Sequence, residues 1–183
     1  ADKLSGCLTV RRAQNGETLA CLNGKTVALA DNTLVVADEA AALSIAGLMG
    51  GAASAVSDST QNIVLESAWF APDIIAGKSR QYGFGSDSSF RFERGVDTQI
   101  QRDAIERASE LVLQICGGVA GEIVSAAGRQ PENHTVNVRT ARVAQILGVD
   151  ISAARIGEIL RGLGLQPEAS ADGFTVRSPS FRF

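Results

Sequence analysis

Histidine is nearly missing from this sequence. His134 is the only one among 183 residues, and it adjoins a Gly/Pro-containing stretch far from any cluster of hydroxyls or carboxylates. A serine–histidine–aspartate relay is therefore excluded, because its base would have to be that residue. Cysteine is scarce too: Cys7, Cys21 and Cys116 are odd in number, widely spaced and without neighbouring histidine. That pattern builds neither a disulfide framework nor a zinc site, and it fits small apolar side chains in a reducing compartment. No glycine loop with an adjoining lysine is present to cradle phosphates. A basic stripe is also lacking. Eight acids face four bases in residues 1–77, eight face seven in 78–133, and four face six in 134–183, for a net charge of −3. Such a gradient falls short of a protein that grips nucleic acid by its phosphates alone. The N-terminal Ala1-Asp2-Lys3-Leu4 opens no apolar signal region. Residues 40–56 are uncharged and about membrane length, but they are mostly Ala, Gly and Ser, and Asp38 and Glu39 border them. They read as a buried strand entering a glycine turn, with no membrane involvement.

What is present suffices for a core, since 45% of residues are hydrophobic although only 5% are aromatic. Short β-rich runs at 7–10, 19–22, 26–30 and 33–37 are separated by Asn15-Gly16, Asn23-Gly24 and Asp31-Asn32, which predicts antiparallel hairpins. Residues 43–48 and 63–70 carry apolar residues on both faces and predict strands covered on both sides. Pro72 opens a predicted helix over 73–80. The longest helix is expected over 98–116, with Asp97 as N-cap, an apolar stripe from Ile100 to Ile115, and Asp103 paired with Arg107 on a solvated face.

Residues 129–133 read as a linker between a domain at 1–128 and a small domain at 134–183. In the small domain a strand at 134–139 precedes helices at 140–147 and 152–163, then a strand pair at 165–168 and 174–177. The fold class is therefore α+β: a layered mixed β-sheet with packed helices, followed by a helix-helix-hairpin, winged-helix-like domain.

Three segments stand out as chemistry rather than packing. Gly47-Leu48-Met49-Gly50-Gly51 offers bare backbone to a close neighbour. Asn62 to Phe70 carries Glu66 in an apolar run, where a carboxylate needs a reason. Ser86-Asp87-Ser88-Ser89-Phe90-Arg91-Phe92-Glu93-Arg94-Gly95-Val96-Asp97 mixes small hydroxyls with alternating aromatics and charges; extended backbone there would bury Phe90 and Phe92 on one face.

Those segments, with Pro179-Ser180-Phe181-Arg182, resemble the β subunit of bacterial phenylalanyl-tRNA synthetase over essentially the whole chain. The resemblance implies a tRNA-editing domain at 1–128 and the small domain after it, as part of a much longer cytoplasmic subunit. A pocket shaped for phenylalanine rejects tyrosine only weakly, so a second, hydrolytic site that demands the extra hydroxyl becomes useful, a logic shared by other aminoacyl-tRNA synthetases. The implied activity is hydrolysis of tyrosyl-tRNA(Phe), in support of charging tRNA(Phe) with phenylalanine.

The resemblance assigns Glu66 to recognition of the tyrosyl hydroxyl; read alone, Glu66 fits better a carboxylate satisfied by backbone N–H groups at a turn. Ser86 and Ser88 fall on the pocket wall near the ester, with Ser86 and neighbouring amides expected to hold water and stabilise the oxyanion. The family commonly has threonine at the position of Ser86. Gly47 and Gly50 line the same pocket. Arg91, Glu93 and Arg94 read as an ion-pair network fixing the loop, and Asp87 as a turn cap. The implied partners are a synthetase α subunit in a heterotetramer of two α and two β, tRNA(Phe), and tyrosine or tyrosyl-adenosine in the pocket. No metal or cofactor is expected in this stretch, while ATP and magnesium serve the intact synthetase. A family histidine that completes the pocket is expected upstream of Ala1. An alternative is a non-catalytic scaffold for assembly and tRNA docking.

Overall fold

A computed structural model describes residues 1–129, 131 and 134–182, which form two compact units: Ala1–Val96 with Ile100–Gly121, and Asp97–Gln99 with Glu122–Phe183. In the first unit, β1 (Thr9–Arg12), β4 (Leu34–Ala37), β5 (Ala42–Ile45) and β6 (Met49–Gly50) form a sheet in the order β1-β4-β5-β6. Separately, β2 (Thr18–Ala20) and β3 (Thr26–Ala28) make a hairpin. Every strand pair is antiparallel. Of the three turn dipeptides, only Asn23-Gly24 closes a hairpin between consecutive strands; Gly24 takes φ +80° and Asn23 Oδ1 accepts the Lys25 N–H. The Asn15-Gly16 turn sends the chain away from β1, which pairs with β4 from Thr9↔Ala37 to Arg12↔Leu34. The non-consecutive pairing wins because it lets β4 bury both faces.

Alternate residues of β4 face different clusters. Val35 and Ala37 join Leu19, Cys21, Leu29, Ile45 and Leu48, while Leu34 and Val36 pack on Ala46, Phe70 and Ile75. Val35 and Ala37 are fully buried, and burial of side chains of this size contributes about 1–2 kcal/mol each. The sole tyrosine, Tyr82, pins the β3–β4 connection: its hydroxyl accepts the Ala30 N–H at 3.1 Å and bonds Thr33 Oγ1, itself fully buried.

The helices α1 (Pro72–Ile75), α2 (Lys78–Tyr82), α3 (Asp87–Phe92) and α4 (Gln101–Cys116) follow. The single helix expected over 73–80 is split, because Ala76 leaves the helical conformation at ψ 130° and Gly77 at φ +79° is left-handed between α1 and α2. Helix α4 begins at Gln101, not Thr98; Asp97 closes a turn on the Gln99 N–H. Its ion pairs are Arg102–Glu106 and Arg107–Glu110, both at 2.5 Å, in place of Asp103–Arg107.

The strand expected at 63–70 is not formed. No ladder partner meets this stretch among the described residues, and Ile63, Val64 and Leu65 are exposed. An apolar run becomes a strand only where another strand takes its amides and carbonyls. Here the chain is held at one end instead, where Asn62 Nδ2 donates to the Asp2 carboxylate.

In the second unit, β7 (Thr135–Arg139) leads into α5 (Thr140–Leu147), α6 (Ala153–Gly162), β8 (Glu168–Ser170) and β9 (Gly173–Arg177), with the sheet in the order β7-β9-β8. Gly148 ends α5 in the left-handed conformation, and Ser152 Oγ caps α6 by accepting the Arg155 N–H. The first hairpin strand forms two to three residues later than predicted, while the second matches to within one residue, so the turn tightens to Ala171-Asp172. Gly173 is required there, since a Cβ would meet Val138 O at 2.1 Å. The expected linker at 129–133 lies largely outside the described residues. No helix among the described residues is long and apolar enough to cross a membrane.

Candidate functional site

Ser86 sits in extended backbone, φ −144° and ψ 166°, as the N-cap of α3. Its Oγ accepts the Ser89 N–H at 3.1 Å, while Ser89 Oγ accepts the Ser86 N–H at 2.9 Å, a reciprocal capping box. This cap folds the serine-rich run into a helix. The predicted extended stretch is thereby overturned, and Phe90 and Phe92, two residues apart on a helix, point in different directions. Phe92 packs edge-on against Phe70 with ring centroids 5.1 Å apart, whereas Phe90 is 59% exposed. The Arg94 guanidinium lies 3.7 Å over the Phe90 ring and is paired with Glu93 at 2.9 Å. Of the expected Arg91, Glu93 and Arg94 network only the Glu93–Arg94 pair forms, and Arg91 makes no ion pair among the described residues. Asp87 occupies the first turn of α3, and the capping is done by Ser86.

Ser86 also reaches across the chain. Its Oγ donates to the Leu48 carbonyl at 2.6 Å, tying the serine helix to the glycine turn 47–51. Two of the three motif segments therefore meet. The turn is made by Gly47 at φ +66°, and a Cβ there would stand 3.2 Å from each of Phe70, Ile75 and Phe92. At Gly50 a Cβ would come within 2.9 Å of Leu22. Gly47 is therefore demanded by its conformation and by packing within the chain, whereas at Gly50 only the tip of the exposed Leu22 side chain would have to move.

Beside Ser86 lies an open depression of about 470 Å³ lined by Ser79, Gly85, Ser86, Asp87, Ser89, Phe90 and Glu93. Gly47, Gly50, Glu66 and Ser88 are not in its lining, although Ser88 is exposed close by. Glu66 belongs to the irregular stretch 63–70 and is exposed, with no hydrogen bond or ion pair to it among the described residues. Enough protein surrounds its carboxyl that desolvation still pushes the pKa above the ordinary carboxylate range. Exposure removes the premise of an acid sealed in apolar surroundings. What remains is an acceptor that no described protein donor engages.

Sequence reading missed Ser79 and Ser89. Ser89 is 2% exposed, and its Oγ accepts from Ser79 Oγ at 3.0 Å and donates to the Ser86 carbonyl at 2.8 Å. The Ser-x-x-Ser spacing of a capping box was the available signal. Among the described residues, no group of three or more His, Cys, Asp or Glu could hold a metal ion.

Residues 1–117 match the family model of the B3/4 domain. The chain belongs to the B3/4 family. Residues 136–183 match a second model, the tRNA synthetase B5 domain. Each model falls largely within one of the two compact units. The chain is 73% identical over 183 residues to the phenylalanine–tRNA ligase beta subunit of Neisseria gonorrhoeae, covering 100% of this chain. It is 55% identical over 181 residues, 99% of this chain, to that of Chromobacterium violaceum, and 47% identical over 184 positions, 100% of this chain, to that of Methylococcus capsulatus. It spans 23% of the length of each of these relatives. The resemblance drawn from the motifs thus extends over the whole chain. All the motif residues from Gly47 to Asp97 fall within the B3/4 match.

Proposed function

We propose that the B3/4 part of this chain forms a wall of a hydrolytic pocket that cleaves the ester of tyrosyl-tRNA(Phe), within a phenylalanine–tRNA ligase β subunit that works with an α subunit, ATP and magnesium. The observation that carries this reading is the Ser86–Leu48 hydrogen bond, which joins the serine helix to the glycine turn beside an open polar depression. Water attacks the ester carbonyl, and no covalent protein intermediate is needed. Ser86 has given its one proton to Leu48 and one lone pair to the Ser89 N–H, so its remaining lone pair can accept a proton of the attacking water. Oxyanion stabilisation then falls to backbone N–H groups near the pocket wall. Ser88 contributes small bulk and room, and Gly47 and Gly50 shape the turn behind the substrate.

Glu66 selects the hydroxylated ring by accepting the phenol proton. Phenylalanine offers that carboxylate no donor, and leaving it unpaired under a bound ring costs about 1–3 kcal/mol. The test is Glu66→Ala in the intact ligase: hydrolysis of tyrosyl-tRNA(Phe) should fall by about 10- to 100-fold, with phenylalanine charging near normal. Unchanged hydrolysis removes Glu66 from the mechanism.

A second reading, an assembly and tRNA-docking scaffold, is favoured by α4, which buries none of its residues and exposes Ile115 at 80%. A hydrolysis assay of the intact ligase separates the two, since a scaffold leaves tyrosyl-tRNA(Phe) uncleaved.

A further inference from the structure

Three serine hydroxyls form an ordered chain behind the pocket wall. Ser79 Oγ donates to Ser89 Oγ at 3.0 Å, and Ser89 Oγ donates to the Ser86 carbonyl at 2.8 Å while accepting the Ser86 N–H at 2.9 Å. A hydroxyl has one proton and two lone pairs. Those of Ser89 are all used, so it has no capacity left for a ligand. Ser86 is different: its proton goes to Leu48 and one lone pair to the Ser89 N–H, leaving a single acceptor site at the depression. Ser89 is 2% exposed, where an unsatisfied hydroxyl or amide would be costly, so the direction of each bond is fixed.

We propose that Ser89 is a positioning residue for ester hydrolysis. Its hydroxyl engages the Ser86 N–H and one lone pair of the Ser86 C=O, the other lone pair taking the Phe90 N–H. It so holds that residue in its extended conformation, in which the Ser89 N–H occupies the Ser86 hydroxyl oxygen and the Ser86 proton goes to Leu48. Ser86 therefore meets the attacking water as an acceptor. Ser79 supports Ser89 by filling the last lone pair and stands one bond further from the reaction. The inference rests on the hydrolytic function proposed above and names a residue that the motif reading assigned to no role.

The experiment measures kcat and KM for tyrosyl-tRNA(Phe) hydrolysis by the intact ligase carrying Ser89→Ala, Ser89→Thr or Ser79→Ala, with thermal unfolding of each. Ser89→Ala should lower kcat by about tenfold, the scale expected when a reacting group is slightly misaimed, with KM within about twofold. Ser89→Thr keeps the hydroxyl and should recover most of the loss. Ser79→Ala should fall between wild type and Ser89→Ala. Wild-type kcat in Ser89→Ala overturns the inference while leaving the hydrolytic function intact. Equal losses in Ser89→Ala and Ser89→Thr that track their unfolding temperatures also overturn it, because they mark a structural role only. If the unmodified ligase does not cleave tyrosyl-tRNA(Phe), the hydrolytic function itself fails and the inference with it.

Discussion

Arg11 meets Glu17 with both terminal guanidinium nitrogens, at 2.7 and 2.9 Å, and the Gln14 N–H adds a third donor at 2.8 Å. The Arg11 guanidinium holds the Glu17 carboxyl well below the usual range, at about 2, and the Gln14 N–H adds to the effect against a smaller opposing desolvation. Because the folded value lies below the unfolded one, this pair stabilises the fold fully above the ordinary glutamate range near 4.5 and loses that stability as pH falls toward 2. With the Glu17 side chain only 14% exposed and the contact bidentate, Glu17→Gln should cost about 1–2 kcal/mol at pH 7. Urea unfolding at pH 7 and near pH 2 checks this: the gap between variant and wild type should close in acid, and a gap that persists there assigns the effect to packing. Lys78 shows the opposite balance. It is 7% exposed, its ammonium donates to Asn32 Oδ1 and Gln81 Oε1, and burial, reinforced by Arg12, pushes its pKa down. No motif marked either side chain in the sequence, because their roles depend on neighbours that only the fold brings near.

Gly47 illustrates the element scale, since one turn fixes where β6, α1 and α3 can sit. Gly47→Ala must hold φ +66° with a side chain and push on Phe70, Ile75 and Phe92 at once. The cost should be about 2–3 kcal/mol, combining left-handed strain with overpacking. A lowered denaturation midpoint at unchanged m-value is the expected result, and a midpoint equal to wild type contradicts the packing described here. The helices of the second unit were legible because local signals act alone: Gly148 stops α5, Ser152 caps α6, and their apolar residues recur at helical spacing. The alternation of Phe90 and Phe92 misled because a capping box at Ser86 and Ser89 outweighs a two-residue period. At Ala76 and Gly77 a non-helical and a left-handed residue broke what looked like one helix. At 63–70 apolar composition suggested a strand, but a strand exists only through its partner.

For the whole molecule, composition and turn signals were enough to show an α+β chain, and motif spacing enough to reach the family. The joining of the glycine turn to the serine helix was half legible, because the two motifs were visible but the Ser86–Leu48 bond is a contact 38 residues apart in sequence. Glu66 remains the least settled by packing, exposed on a stretch without a ladder. In the proposed function Ser86 serves ester hydrolysis from the rim of this depression. Single-turnover hydrolysis of tyrosyl-tRNA(Phe) by the intact ligase with Ser86→Ala tests it most directly. Loss of about 100-fold in rate, with phenylalanine charging retained, is the predicted result; a hydrolysis rate equal to wild type would contradict the account.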